Sequence, residues 1–407
     1  MAEEFERGTI RPEFPLPPPM PFPEGGSPEA DVIDDLGQIV AENPYPIEKN
    51  FGVSYVGPPH PITQQAAEVA RGTFFVEWGR TQQPASYRLE KEAVRMMASL
   101  FGKPDAVGFI TSGGTESNVS ALRLARNIAR RKDPEIVMPE SAHYSFRIAA
   151  ELMGIRVNEV PLDSDYRPRM DEIERAINGN TVALVCSAPE GHLGLVDPVS
   201  EFAEIAERHG VYLHVDGAFG GFFLPFLSDL GIEAPAFDFT LPGVSSIMTD
   251  GHKLGLLPVA TGFFIVRDEA MLDAIPTPTT VIHNLTATKP GDHAAAAWTV
   301  MKHLGRAGYA ESARNLINVV DIVSEGVERI DGIRLLVKPM IAVINITSDE
   351  YDVRKIYNGL RSRGWGSTYG RAGAVHTVRL SIHPARDEEH AHGFVRALEE
   401  SVQDARP

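Results

Sequence analysis

From about residue 63 onward, apolar positions alternate between two spacings. The clearest stretch opens with Thr181-Val182-Ala183-Leu184-Val185, an unbroken β-rich run typical of a strand buried on both faces. Asp197-Pro198 follows and predicts a helix start, with Asp197 as N-cap and Pro198 at the first helical position. Phe202, Ile205 and Ala206 recur at helical spacing, and Gly210 is placed to stop the helix. A second strand-like run, Val211 to Val215, comes at once. Strand, helix, strand is a βαβ unit, whose strands are parallel and whose crossover is right-handed. The fold class predicted is α/β. Beyond about residue 292 the pattern changes to long amphipathic helices, joined by strand-like Ala342 to Ile346 and Thr377 to Ile382. The expected organisation is an N-terminal arm over 1–62, a large domain with a mainly parallel sheet over 63–291, and a smaller α+β domain over 292–407.

The arm holds seven prolines between residues 11 and 24, so that part is extended and neither helix nor central strand. Over the whole chain 43% hydrophobic and 23% charged residues suit a folded globular protein. Acidic residues outnumber basic ones by 55 to 38, a net charge of −17 that repels nucleic acid and anionic lipid, so neither is an expected partner. Cys186 is the sole cysteine, which excludes an intrachain disulfide and argues against a thiolate zinc site. The histidines form no H-E-x-x-H or similar ligand set, so no metal is expected. The acidic N-terminus has no apolar core, and the longest apolar stretch, Ala218 to Leu227, is too short to span a bilayer. The expectation is a cytoplasmic protein with no membrane contact.

Four segments could carry chemistry. Thr111 to Asn118 (TSGGTESN) precedes a helix, and a Gly-Gly-Thr turn there would offer unpaired N–H groups and the positive helix end to a phosphate. Taken alone, an ordinary N-cap explains this turn equally well. Asp216 ends the run Tyr212-Leu213-His214-Val215, and carboxyl ends of parallel strands face the ligand crevice. Lys253 follows another strand-like run in an apolar, glycine-lined setting. His143, in Glu140-Ser141-Ala142-His143-Tyr144-Ser145, offers a ring that could stack on a planar cofactor.

The order of these features, with Lys253 thirty-seven positions after Asp216, resembles fold-type I enzymes that use pyridoxal 5′-phosphate (PLP). Within that fold the chain resembles the group II pyridoxal-dependent decarboxylases, and in particular the archaeal-type tyrosine/aspartate decarboxylases. The resemblance runs from about Pro59 to Ala397. It rests on TSGGTESN (111–118), HVDGAFGGFFLPF (214–226), SSIMTDGHKLGLLP (245–258), AAAAWTVMKHLGRAGY (294–309) and VRLSIHP (378–384). It implies that Lys253 holds the cofactor aldehyde as a Schiff base, that Asp216 pairs with the pyridine nitrogen, and that Ala218 and His143 cover the two ring faces. It further implies that Gly114, Thr115, Ser246 and His252 hold or orient the phosphate and that Arg379 grips a substrate carboxylate. A homodimer with shared active sites and an amino-acid substrate complete the expectation.

The chain departs from the family pattern in two places. Ser187-Ala188-Pro189 stands where the decarboxylases commonly carry Gly-Thr-Thr, and looks more like the sphingosine-phosphate lyases. The segment Ile275 to Lys289 has no tyrosine, although relatives place one there to protonate the substrate carbon; His283 is the candidate replacement acid. Ala287-Thr288-Lys289 also replaces the family's Gly-Thr-Arg. The expected reaction is PLP-dependent decarboxylation of an L-amino acid to an amine. The alternatives are an aldehyde-lyase that cleaves a C–C bond, or decarboxylation with oxidative deamination to an aldehyde.

Overall fold

In the computed structural model the described residues are 25–42, 46–54, 57–71, 74–76, 84–275, 283–286 and 288–406. The proline-rich stretch at 11–24 therefore lies outside them, as do Tyr55, Trp78 and the loop residues 276–282.

Helix α1 (Glu29–Ala41) buries none of its residues, and α2 (Ile62–Val69) packs on the C-terminal half of the chain. Strand β1 (Phe74–Val76) and helix α3 (Pro84–Leu100) lead into β2 (Val107–Thr111). The order then continues as α4 (Gly114–Ala129), β3 (Glu135–Pro139), α5 (Ser145–Met153), β4 (Arg156–Val160) and α6 (Met170–Ala176). Next come β5 (Thr181–Ser187), α7 (Val199–His209), β6 (Tyr212–Asp216), β7 (Val244–Asp250) and β8 (Gly262–Val266). The C-terminal part holds β9 (Thr288–Pro290), α8 (Gly291–Arg329), β10 (Arg334–Leu335), β11 (Val343–Thr347), α9 (Val353–Ser362), β12 (Thr368–Ala372), β13 (Val375–Ser381) and α10 (Glu388–Ala405).

Seven strands form the central sheet in the order β2-β8-β7-β6-β5-β3-β4. All its pairings are parallel except those of β8, which runs antiparallel to β2 and β7. β5, β6 and β8 are buried at every position, which is why their sequences run apolar without alternating. The βαβ unit is as expected: β5 and β6 pair in parallel across α7, and Gly210 ends α7 at φ +62°. Its start differs. The N-cap is Pro198, and the Asp197 carboxylate instead accepts the Ser187 N–H at 2.7 Å. A four-stranded antiparallel sheet, β10-β11-β13-β12, carries α9 and α10. Helix α8 breaks at Gly305 (φ +56°) and joins both parts: it packs on α2 and α3 as well as on α10 and β11. One apolar cluster accordingly runs from Met97 and Phe202 through Val300 to Leu380 and Phe394.

Candidate active site

The first wall of the cleft is the β2–α4 turn. Gly113 sits at φ +119°, a conformation an L side chain rarely adopts. A Cβ on Gly114 would lie 2.7 Å from Met248 Cε and 3.0 Å from Asp250 Oδ2, so these side chains approach the turn closely. No side chain caps α4; Glu116 bends back instead to accept from Ser112 N (2.6 Å) and Ser112 Oγ (2.7 Å). The first-turn N–H groups are thus left at the positive end of a sixteen-residue helix, beside exposed Thr115.

The second wall leaves the end of β7. Lys253 Nζ lies 2.9 Å from Asp250 Oδ2 and 4.4 Å from the centre of the Phe219 ring. Asp250 is 3% exposed, and its Oδ1 is buried without a hydrogen-bond partner. The His252 ring lies against the turn, its Cε1 3.2 Å from where a Gly113 Cβ would be. Its Nδ1 faces the Thr261 carbonyl at 2.9 Å.

The third wall is the end of β6. Asp216 is buried there; its Oδ1 accepts from Ala218 N (3.1 Å) and its Oδ2 from Asn118 Nδ2 (3.0 Å). The same Asn118 nitrogen reaches Ser145 Oγ at 3.0 Å, and Ser145 Oγ lies 2.8 Å from His143 Nδ1. Behind them His214 spans Asn118 Oδ1 (3.0 Å) and Ser246 Oγ (2.7 Å). Burial pushes the His214 pKa down to about 3, so its ring is neutral above that pH.

The fourth wall comes from the small sheet. Arg379 on β13 approaches the β5–α7 loop, with Nη1 3.3 Å from both Gly191 O and His192 Nδ1. Gly191 in turn faces Phe219, whose Cε2 is 3.7 Å from a Cβ placed there, so the loop that Arg379 touches packs towards the ring over which Lys253 lies. Buried Glu190 folds this loop, accepting from the backbone of His192 (2.6 Å) and Leu193 (2.5 Å), and Asn345 holds the His192 carbonyl at 2.9 Å. Asp197 closes the same loop; burial raises its carboxyl to about 8.

Contacts therefore link Lys253 to Gly114 through Asp250, His252 to the same turn, and Asp216 to Ala218 and, through Asn118 and Ser145, to His143; Thr115 follows Gly114 and Arg379 reaches the β5–α7 loop. Two expected residues stand apart. Ser246 lies opposite His214 in the β6–β7 register, below the strand ends, and its hydroxyl is engaged by that histidine rather than by the turn. The carbonyl of His283 accepts from the side chain of Arg123 (3.4 Å), a residue in the middle of α4 rather than at its glycine turn. Asn284 and Leu285 beside it bond to Ile110 O and Glu116 Oε1 at 3.3 Å each. Lys289 is an anchor: its ammonium pairs with buried Glu90 at 3.0 Å. Tyr87 lines a separate groove between α3 and α8 with Trp298. Asn118, Ser145, Asp250 and His192 were missed. Asn118 and Ser145 carried one signal, since polar residues occupied helix positions facing the sheet.

An uncapped helix end at a glycine turn, a strand-end carboxylate and a cleft lysine define a fold-type I PLP enzyme. The residues fit that cofactor: α4 has no side-chain cap at its glycine turn, so its first N–H groups are open to a phosphate, and Asp216 is a buried carboxylate suited to a protonated ring nitrogen. The sequence model of the pyridoxal-dependent decarboxylase conserved domain matches residues 69–346, and the chain belongs to that family. It is a PLP-dependent carboxy-lyase that decarboxylates an amino acid. A probable L-tyrosine/L-aspartate decarboxylase of Methanothermobacter thermautotrophicus is 39% identical over 76% of this chain and 86% of its own. An L-aspartate decarboxylase of Thermococcus kodakarensis is 34% identical over 93% of this chain and 98% of its own. Among solved structures, a sphingosine-1-phosphate lyase of Burkholderia pseudomallei is 29% identical with a TM-score of 0.85, covering 95% of this chain and 93% of that one. No helix among the described residues is long and apolar enough to cross a membrane, and none of their His, Cys, Asp and Glu groups is arranged to hold a metal.

Proposed function

We infer that the substrate is an acidic L-α-amino acid, L-aspartate first, decarboxylated at Cα. The observation that carries this reading is the pairing of Arg379 with His192 at 3.3 Å on the β5–α7 loop. A guanidinium and an imidazole side by side suit a substrate with two carboxylates. The relatives named as aspartate decarboxylases support it.

Bound PLP supplies an electron sink for the pair left behind when the Cα–carboxylate bond breaks. Lys253 Nζ would hold it covalently, with Asp250 at 2.9 Å to receive the lysine ammonium when free. Asp216 would pair with its ring nitrogen, His143 and Ala218 would pack against its ring, and Gly114, Thr115 and His252 would hold its phosphate. Arg379 clasps a carboxylate, and Phe219 keeps water from the Lys253 side. His283, in the loop without tyrosine, returns the proton to Cα; its place beside α4 suits service to the cleft of a second subunit. The chain is accordingly read as a cytoplasmic homodimer. The apolar face of α1, with Val32, Ile33, Leu36, Ile39 and Val40 all more than half exposed, supports that assembly.

The test is carboxyl-labelled L-aspartate, L-glutamate, L-tyrosine and L-serine offered to PLP-loaded protein, beside a phosphorylated sphingoid base. Aspartate is expected to release labelled carbon dioxide fastest. Faster release from tyrosine would overturn the acidic-substrate reading, and a long-chain aldehyde from the sphingoid base would favour C–C cleavage. Light scattering gives the mass; a monomer at micromolar concentration would contradict the dimer.

A further inference from the structure

Asn118, Ser145, His214 and Ser246 are each at most 1% exposed and form one polar chain behind Asp216. The amide orientation follows from chemistry: reversed, the Asn118 oxygen would face the Asp216 carboxylate at 3.0 Å. One amide hydrogen therefore goes to Asp216 Oδ2 and the other to Ser145 Oγ. The amide oxygen accepts, so His214 carries its hydrogen on Nε2, and its Nδ1 accepts from Ser246. Ser145 Oγ, already accepting from Asn118, gives its own hydrogen to His143 Nδ1, which also faces the Ser145 N–H at 3.3 Å. Accepting twice at Nδ1, His143 carries its hydrogen on Nε2.

We propose that Asn118 is a positioning residue that locks Asp216 and His143 into one unit, fixing the carboxylate for the pyridine nitrogen and the tautomer of the stacking ring. This inference rests on the roles given above to Asp216 and His143. His214 and Ser246 act behind it, holding the amide oxygen so that both amide hydrogens face forward. A network that merely filled the space between α4 and β6 would tolerate any substitution of equal size; a donor to Asp216 would not.

Asn118→Asp makes that distinction, because it exchanges one NH2 group for an oxygen of similar size and keeps the contact to His214. Two facing carboxyls share a proton at low pH and lose it as pH rises. PLP is titrated into apo-protein at pH 6 and pH 8.5, following the visible absorbance of the bound cofactor, with turnover measured alongside. Relative to the unsubstituted protein, Asn118→Asp is expected to bind PLP within about threefold at pH 6 and at least ~10-fold more weakly at pH 8.5, with the visible band shifting over the same range. Ser145→Ala is expected to bind PLP within about twofold but to lose roughly fivefold in kcat at unchanged KM. Should Asn118→Asp fail to fold, Asn118→Ala replaces it, with a pH-independent loss of ~10-fold or more in PLP affinity. A pH-independent affinity ratio and an unmoved band in Asn118→Asp, or an undiminished affinity in Asn118→Ala, would overturn the proposal for Asp216. An unchanged kcat in Ser145→Ala would overturn its extension to His143. Asp216→Ala serves as the reference: if that variant keeps the affinity and band of the unsubstituted protein, the parent reading of Asp216 fails instead.

Discussion

The back of the cleft and its front are built differently. The back draws Asp216, Asn118, His143 and His214 from β6, α4 and the start of α5, all within one sheet and the helices packed on it. Each polar group there has a named partner at 2.7–3.1 Å. The front draws Arg379 from the small sheet and His192 from a loop, with contacts of 3.3 Å. A fixed cofactor needs the first kind of construction. A substrate that enters and leaves suits the second.

Substitution at Lys253, which lies on Asp250 beside both regions, should have the largest effect. Lys253→Ala is expected to lower turnover on the order of 10³-fold or more, and borohydride should no longer trap PLP on the protein by mass spectrometry. Acid should reveal the back next. His214 has its pKa depressed to about 3 and His383 to about 4, both chiefly by burial. A depressed pKa means stability that is fully present above about 6.5, the unfolded value, and is lost as pH falls towards the folded one. By pH 4.5 the His214 share is roughly 3 kcal/mol, measurable as a falling urea midpoint between pH 7 and 4.5 that flattens in His214→Asn. The front should respond less and in a different parameter. Arg379→Ala is expected to cost ~10- to 100-fold in kcat/KM through KM, with Arg379→Lys recovering part of it. His192→Ala should raise KM for aspartate by roughly threefold to tenfold while leaving kcat and PLP affinity unchanged. A His192 variant that lost PLP would erase the distinction between the two regions.

What could be read from the sequence follows the same line. β5, α7 and β6 announced themselves because burial on both faces and helical spacing are local properties. Asp216 and Lys253 were legible because strand ends in α/β sheets face the ligand. Ser246 was misplaced because its depth depends on pairing with His214, a register that a single strand does not encode. Asp197 carried a good N-cap signal, yet the Ser187 N–H captured its carboxylate. Asn118 looked like an ordinary polar helix residue; its partners at Ser145 and Asp216 lie 27 and 98 positions away. The distance between Arg379 and His192 is likewise set by how the two sheets meet.

The most direct measurement is labelled carbon dioxide release from L-aspartate carrying the label at its α-carboxyl, using PLP-loaded protein and the Lys253→Ala variant side by side. The account predicts release with stoichiometric β-alanine from the first and none above background from the second. Equal rates in both, or aspartate left intact while another amino acid is consumed, would contradict it.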